Sequence, residues 1–224
     1  MIEFTAFVAL KANSERVPGK NLRFLGDRHL FEHILRTLSN VEAVKKIIVD
    51  TDSEEMYEII EKKYPTIDLY WRPLELCGEL VDMDLIIKNY LDRTNHGYIL
   101  HTHATNPFLS VPTISKAINC FWEERSSYDS LFSVNRLQKR IYYSNGELVN
   151  KSHLVRTQDI EPLFERNANL YLFSKDSFEK TGCRIGIKPM MFEMNKLESI
   201  DIDEPEDFFL AELLFDQMLG KIHE

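Results

Sequence analysis

The sequence predicts an α/β fold: a single domain over residues 1–224, with a mostly parallel sheet and helices as crossovers. Three observations carry that expectation. The chain opens with an apolar run, Phe4 and residues 6–10, rich in strand formers and short enough for a buried strand. Strand and helix patterns then alternate as far as Trp71, the order that crossovers between parallel strands produce. Finally, 224 residues, 44% of them hydrophobic, suffice for one sizeable core.

After the first strand a polar loop carries Lys11, Asn13, Ser14, Glu15 and Arg16. Val17-Pro18-Gly19-Lys20-Asn21-Leu22 follows, where Pro and Gly mark a turn. Residues 30–38 space their apolar side chains as a helix does. Residues 44–50 read as a second buried strand, and Thr51-Asp52-Ser53 as the N-cap region of a helix over 54–63. Pro65 ends that helix, and 67–71 forms a third strand. Residues 81–93 read as a helix whose Asp82 and Asp84 sit in the first turn, as caps rather than metal ligands.

A central strand over 98–103, a helix over 113–124 and a strand over 128–134 come next. The pattern then changes. Residues 140–144 and 147–149 flank Asn145-Gly146 as a hairpin with a type I′ turn. It belongs to an arm inserted at about 135–166, with further basic side chains at Lys151, His153 and Arg156. Residues 167–173 return to the core as a strand, 180–188 are turn-rich, and 190–194 form another strand whose methionines fill the core. A terminal helix runs from about Pro205 to Leu219, with Glu204, Glu206 and Asp207 at its start.

Two stretches carry chemistry. A buried strand that empties into a basic loop with small residues can hold anionic phosphates, since backbone amides and lysines converge there. The other reading is a surface loop whose charges are solvated. The loop is not a Walker motif, which needs Gly at position 14 and Ser or Thr at position 21, where this chain has Ser14 and Asn21. Its place at the carboxyl end of a parallel strand is where such sheets bind ligands. In the second stretch Asp201 and Asp203 alternate with isoleucines, so both carboxylates emerge on one face of an extended segment. Opposite a loop that holds phosphates, that pair supplies what Mg²⁺ takes from a protein. His101 and His103 also share a strand face, but no third ligand lies near them in sequence. They read as one packing histidine and one pocket histidine rather than a zinc site.

A formal net charge of −9 argues against a nucleic-acid binder with a broad basic face. No apolar run is long enough to span a bilayer. Cys77, Cys120 and Cys183 are widely separated and form no CxxC pair, so they read as free thiols of a reducing compartment. The opening residues lack a signal peptide's basic flank and cleavage site, and the expected location is the cytoplasm.

Leu10-Lys11-Ala12-Asn13-Ser14-Glu15-Arg16-Val17-Pro18-Gly19-Lys20-Asn21-Leu22 resembles the signature of the sugar-activating cytidylyltransferases, a strand followed by A-R-x-x-S-x-x-x-P-x-K-N-L. Ser14, Pro18, Lys20, Asn21 and Leu22 match in order and spacing. Lys11 stands where that family usually has Arg; it keeps the charge without the planar fork, which Arg16 can supply instead. Arg72, Pro73, Glu75 and Leu76 reproduce an Arg-Pro-x-Glu-Leu element whose Arg faces the nucleotide in the family. Thr105, Pro107 and Leu109 fit a Gln-Pro-Thr-Ser-Pro-like segment that touches nucleotide and sugar, with His103, Ala104 and Asn106 as departures. Asn167 opens a family-like Asn-Gly/Ala-x-x-Tyr pattern, and Ser199-Ile200-Asp201-Ile202-Asp203 is close to identical with the family's ending. The resemblance covers nearly the whole chain. It is to the acylneuraminate branch, CMP-sialic acid synthetase-like and related to the CMP-Kdo synthetases.

The resemblance implies a three-layer, Rossmann-like, GT-A-like nucleotidyltransferase fold whose hairpin arm makes a homodimer. It implies an enzyme that joins CTP to an acidic sugar, a nonulosonic acid, with Mg²⁺ as cofactor. Lys11, Lys20 and Asp203 are then the catalytic candidates. Leu10, Lys11, Ala12, Asn13, Ser14, Arg16, Lys20, Asn21 and Arg72 are the nucleotide-binding ones. His103, Thr105, Asn106, Arg140, Arg156 and Asn167 fall on the acceptor side, the two arginines for its carboxylate, and Asp201 and Asp203 hold the metal. Another acceptor (Kdo, a phosphonate or a polyol phosphate) or a catalytically silent nucleotide-binding scaffold are the alternatives.

Overall fold

Strand β1 (Phe4–Leu10) is buried along its whole length, with Phe4, Ala6, Val8 and Leu10 in one apolar cluster and Phe7 and Ala9 in another. Alternate side chains of a strand point to opposite faces, so a strand buried at every position must be covered on both. In the computed structural model, which describes residues 2–78, 80–94, 97–149 and 156–220, helices supply both covers. The first cluster takes in α1 (Leu30–Ser39), α2 (Glu54–Lys63) and α4 (Val111–Glu123). The second takes in α3 (Met83–Leu91) and α5 (Lys175–Thr181). The three layers are therefore helices, sheet, helices.

A small hairpin follows the first loop, formed by β2 (Phe24–Leu25) and β3 (Arg28–His29). The main sheet adds β4 (Val44–Thr51), β5 (Asp68–Trp71), β6 (Tyr98–Thr102), β7 (Ser130–Leu137), β8 (Leu163–Ser174) and β9 (Pro189–Glu193) to β1. Their order is β5-β4-β1-β6-β8-β7-β9, and only β8 runs antiparallel to its neighbours. The chain builds outward from β1 through β4 to β5, then returns to place β6 on the other side of β1. That reversal opens a crevice at the carboxyl ends of β1 and β6.

Several helix starts follow from their caps. Ser53 Oγ accepts from the Met56 amide, Ser110 Oγ from Thr113, and Ser174 Oγ from Ser177, each satisfying an orphan N–H of a first turn. A last core patch joins the two ends of the chain. Val17, Leu25 and Leu30 pack with Ile202 and with Phe208 and Ala211 of α6 (Pro205–Gly220).

Three expectations are corrected here. α5 occupies part of the stretch read as turn-rich, because Ser174 caps it and Gly182, at φ 69°, ends it. The helix read from 113 begins at Val111, since Ser110 is its cap and Pro112 suits the first turn. The hairpin at Asn145-Gly146 contains a single bridge, Tyr142 with Leu148, and its turn is not type I′. That turn needs a positive φ at both central residues; Gly146 has φ 86°, whereas Ala168 is the only non-glycine residue with positive φ among those described. The Tyr143 carbonyl instead accepts from the Gly146 amide while the Tyr143 amide donates to the Glu147 carbonyl, a longer loop closed by a left-handed glycine. Lys151 and His153 of the arm lie outside the described residues.

Candidate active site

The crevice holds a pocket of about 460 Å³. The loop after β1 lines it with Lys11, Asn13, Ser14, Glu15, Arg16, Lys20 and Asn21. The end of β6 contributes His103, Ala104 and Thr105, the start of α3 Met83, and a distorted part of β8 Ala168. The segment before α6 contributes Asp201 and Asp203. The two chemistry-bearing stretches of the sequence thus share one cavity.

The opening of the loop is fixed by polar contacts from below. Arg72 is 1% exposed and pairs with Asp50, Nε to Oδ1 at 2.5 Å. Its Nη2 donates to the carbonyls of Leu10 and Asp50 at 3.0 and 3.1 Å. Asp52 accepts from the Ala12 amide at 2.6 Å, and Asn21 Nδ2 donates to the Lys11 carbonyl at 3.0 Å. Leu10, Lys11 and Ala12 are each tied by the backbone. The Lys11 side chain is left in the pocket, where among the described residues Nζ reaches only the Gly78 carbonyl, at 3.4 Å.

The acidic segment is clamped to the same loop. Lys20 Nζ donates to the Ile202 carbonyl at 2.5 Å and to Asp203 Oδ1 at 3.2 Å. Arg16 reaches that oxygen through Nη2 at 3.0 Å and Glu204 through Nη1 at 2.8 Å. Among the described residues no cation lies within ion-pairing distance of Asp201. Burial, followed by the repulsion of Asp203, outweighs the opposing Thr105 and Lys20 and pushes its carboxyl up to about 6. Its Oδ1 is buried without a hydrogen-bond partner. A divalent cation fits this pair, because it removes the repulsion and completes the orphan oxygen. Among the described residues no third His, Cys, Asp or Glu joins them. Few protein ligands, with phosphate and water completing the shell, is the pattern of Mg²⁺.

His101 is fully buried, its Nδ1 3.1 Å from the Phe7 carbonyl, while His103 reaches the pocket. Burial, then the charge of Arg184, lowers His103 to about 4, so it stands there as a neutral imidazole. The Asn167–Asn169 stretch of β8 bulges against β7 where the register shifts between Phe132 and Val134, and Ala168 there takes φ 57°. Asn167 Oδ1 accepts from Ser133 Oγ at 2.5 Å, so Asn167 builds the bulge that presents Ala168 and does not itself line the pocket.

Six further candidates also stand outside the pocket lining, among them Leu10 and Ala12, each held through its backbone. Arg72 lies beneath the loop. Asn106 is fully buried and donates to the Ile200 carbonyl at 3.3 Å, so it holds the acidic segment rather than facing the cavity. Arg140 contacts Thr157 and Arg156 pairs with Asp159, both on the exposed arm. Asp50, Asp52 and Arg184 were missed in the sequence. Asp50 reads as the last residue of the second strand and Asp52 as part of a helix cap, while Arg184 sits in the stretch read as turn-rich.

The Cytidylyltransferase family profile matches residues 6–220. The flagellin modification protein B of Campylobacter coli is 22% identical, over 96% of this chain and 95% of that protein. The CMP-N,N'-diacetyllegionaminic acid synthase of Legionella pneumophila is 26% identical, over 94% of this chain and 95% of its own. In fold, the chain is similar to a CMP:2-keto-3-deoxy-manno-octonic acid synthetase solved with CTP, at a TM-score of 0.71 and 10% identity over 96% of this chain and 99% of that one. Loop, acid pair and topology agree with a match over almost the full length, and the chain belongs to the cytidylyltransferase family of nucleotidyltransferases.

Proposed function

We propose that this chain activates an acidic sugar of the nonulosonic class, joining it to CMP and releasing pyrophosphate. One observation carries the reading: Lys11, Arg16 and Lys20 line one pocket with Asp201 and Asp203 at the switch point of the sheet, Arg16 and Lys20 paired with Asp203. The sugar's anomeric oxygen bonds to the α-phosphorus of CTP, the bond from that phosphorus to the bridging oxygen breaks, and the hydroxyl proton is released. Lys11, Lys20 and Arg16 stabilise charge gathering on the pyrophosphate, with Ser14 and Asn13 as nearby hydrogen-bonding groups. Asn21, Asp52 and Arg72 hold the loop for them. Asp201 and Asp203 would hold Mg²⁺, which when bound neutralises phosphate charge and acidifies a coordinated hydroxyl. His103 and Thr105 form the acceptor side of the lining. The acidic class of acceptor is supported by the similarity to the legionaminic acid synthase.

The arm is read as the contact of a homodimer, in which Arg140 and Arg156 would serve the neighbouring pocket. Exposed Tyr142, Tyr143 and Phe164 support this. Unpaired Cys77, Cys120 and Cys183 accord with a cytoplasmic enzyme, and no described helix is long and apolar enough to cross a membrane.

The test is pyrophosphate release with CTP and Mg²⁺ against a panel of acidic sugars, with ATP, GTP and UTP as controls. Release with CTP and a nonulosonic acid alone supports the reading. Release with Kdo or a polyol phosphate instead replaces the acceptor, and silence with no nucleotide-induced shift in melting temperature overturns it.

A further inference from the structure

Arg184 is a shielded cation without an assigned role. It lies in the connection between α5 and β9, with only 13% of its side chain exposed. Its guanidinium carbon sits 4.6 Å from the centre of the Tyr171 ring. Asp84 accepts from its backbone amide at 3.3 Å, and the same carboxylate oxygen lies 3.5 Å from its Nε. Nη1 is buried and has no hydrogen-bond partner.

Two neighbours share that condition. Tyr171 and His101 are fully buried, with their rings stacked at 5.8 Å. The Tyr171 hydroxyl and His101 Nε2 are both without partners. Since His101 Nδ1 faces the Phe7 carbonyl, that nitrogen carries the proton and Nε2 is an acceptor. Almost all buried polar groups in native proteins are paired, so three orphans on mutually packed side chains need an explanation.

Their location supplies one. The His103 ring stands 4.6 Å from that of His101 and reaches the pocket. Met83, adjacent to Asp84, and Ala168, three residues before Tyr171, line the same pocket and pack in the same apolar cluster as Tyr171 and Ile185. The polar cluster therefore backs one wall of the cavity. Met83 is unbranched and adaptable, so this wall can yield without a change of backbone.

We propose that Arg184 is a specificity-determining residue for the acceptor, its Nη1 donating to a hydrogen-bond-accepting oxygen of the sugar, a carboxylate or an acyl carbonyl, with the Tyr171 hydroxyl as second donor. The inference rests on the sugar-activating function proposed above. A guanidinium makes strong, directional bonds to such an oxygen, and a site built for that bond discriminates against acceptors that lack it. Asp84 restrains the guanidinium without occupying Nη1.

The experiment measures pyrophosphate release by the full chain with CTP and three acceptors: the accepted acidic sugar, its carboxyl methyl ester and its de-N-acylated form. Arg184→Gln is expected to raise KM for the intact sugar roughly 10- to 100-fold, the range for losing a bond to a charged group, with KM for CTP unchanged. One analogue should be as poor for the wild type as the intact sugar is for Arg184→Gln, and no worse for the variant; that analogue names the oxygen. Tyr171→Phe, which removes only a hydroxyl, should raise the acceptor KM less and leave melting unchanged. Arg184→Gln penalising all three acceptors equally, raising KM for CTP as much, or changing neither constant overturns the proposal, and internal water then explains the orphans. If Arg184→Gln does not fold, an unchanged acceptor KM in Tyr171→Phe overturns it. A wild type silent with every acidic sugar removes the sugar-activating reading itself; a working wild type beside an indifferent variant removes only this inference.

Discussion

Lys20 and Asp203, 183 positions apart, meet at 3.2 Å, and Lys20 also holds the neighbouring Ile202 carbonyl at 2.5 Å. The pocket is therefore a closure between the first loop of the chain and its last extended segment, locked by a nearly buried lysine. Ile202 packs with Val17 and Leu25 behind that lock, so apolar burial and an ion pair hold the same joint. Arg16 shares the Asp203 oxygen but is about half exposed, and solvent weakens its contribution.

Replacing Lys20 with Met keeps much of the volume and removes the charge. The expected result is a fall in kcat of about 10²–10³, the usual loss when a donor to a developing phosphate charge is removed. The melting temperature should also fall, because the Ile202 carbonyl loses its donor. Pyrophosphate release and a thermal melt check both. Full turnover would remove Lys20 from the phosphate contacts.

Asp201→Asn should separate stability from activity. The folded carboxyl sits near 6, above its ordinary 3.8, so ionisation opposes folding as pH rises through that window, and the penalty is complete above it. At pH 7.5 without metal the Asn variant should therefore be more stable, by about 1–3 kcal/mol. It should also lose turnover and any rise in melting temperature on adding Mg²⁺. A variant less stable than the wild type in metal-free buffer would contradict the electrostatics described.

The sheet and the pocket loop were legible because their signals are local. β1 is apolar at every position but Thr5 and is followed at once by Lys11, Asn13, Ser14 and Arg16, which reach one cavity. Asp201 and Asp203 announce themselves by alternating with isoleucines. What the sequence concealed depends on contacts across long separations. Nothing near Arg72 shows that Asp50, 22 positions earlier, will bury it, nor that Asn106 will turn toward Ile200, 94 positions later. Asn167 reads as a sugar contact, yet the register shift in β8 turns its side chain to Ser133 and leaves Ala168 at the surface of the pocket.

His101 and His103 set an acid limit. His101 lies well below the ordinary 6.5, mainly through burial and then through the charges of His103 and Arg184. His103 falls to about 4 through burial and Arg184. Both are neutral in the folded chain while the unfolded chain takes protons below 6.5. Stability is full above that pH and is lost as pH drops toward 4, at up to about 1.4 kcal/mol per unit for each group. Asp201 works in the opposite direction over part of this range, so the comparison must be between variants. His103→Gln should lose less melting temperature than the wild type between pH 7 and pH 5, and equal losses would show that His103 accepts its proton without opening the fold.

Arg72 separates a strut from a ligand contact. Its Nε and Nη2 are spent on Asp50 and on the Leu10 and Asp50 carbonyls, while Nη1 has no hydrogen-bond partner among the described residues and lies 3.7 Å from the Asp52 that holds the Ala12 amide. Burial raises the Asp50 carboxyl, with the attraction of Arg72 opposing that rise. Arg72→Met should leave a buried carboxylate unpaired and cost about 3–5 kcal/mol in chemical denaturation. Adding Asp50→Asn should recover part of that loss, since the two groups form one unit and their effects are not additive. KM for CTP should rise in the single variant, because Leu10 and Ala12 no longer fix the loop that carries Lys11. If Arg72→Met loses CTP affinity with stability intact, the guanidinium touches the nucleotide directly; if both fall together and Asp50→Asn partly restores both, it acts through the loop.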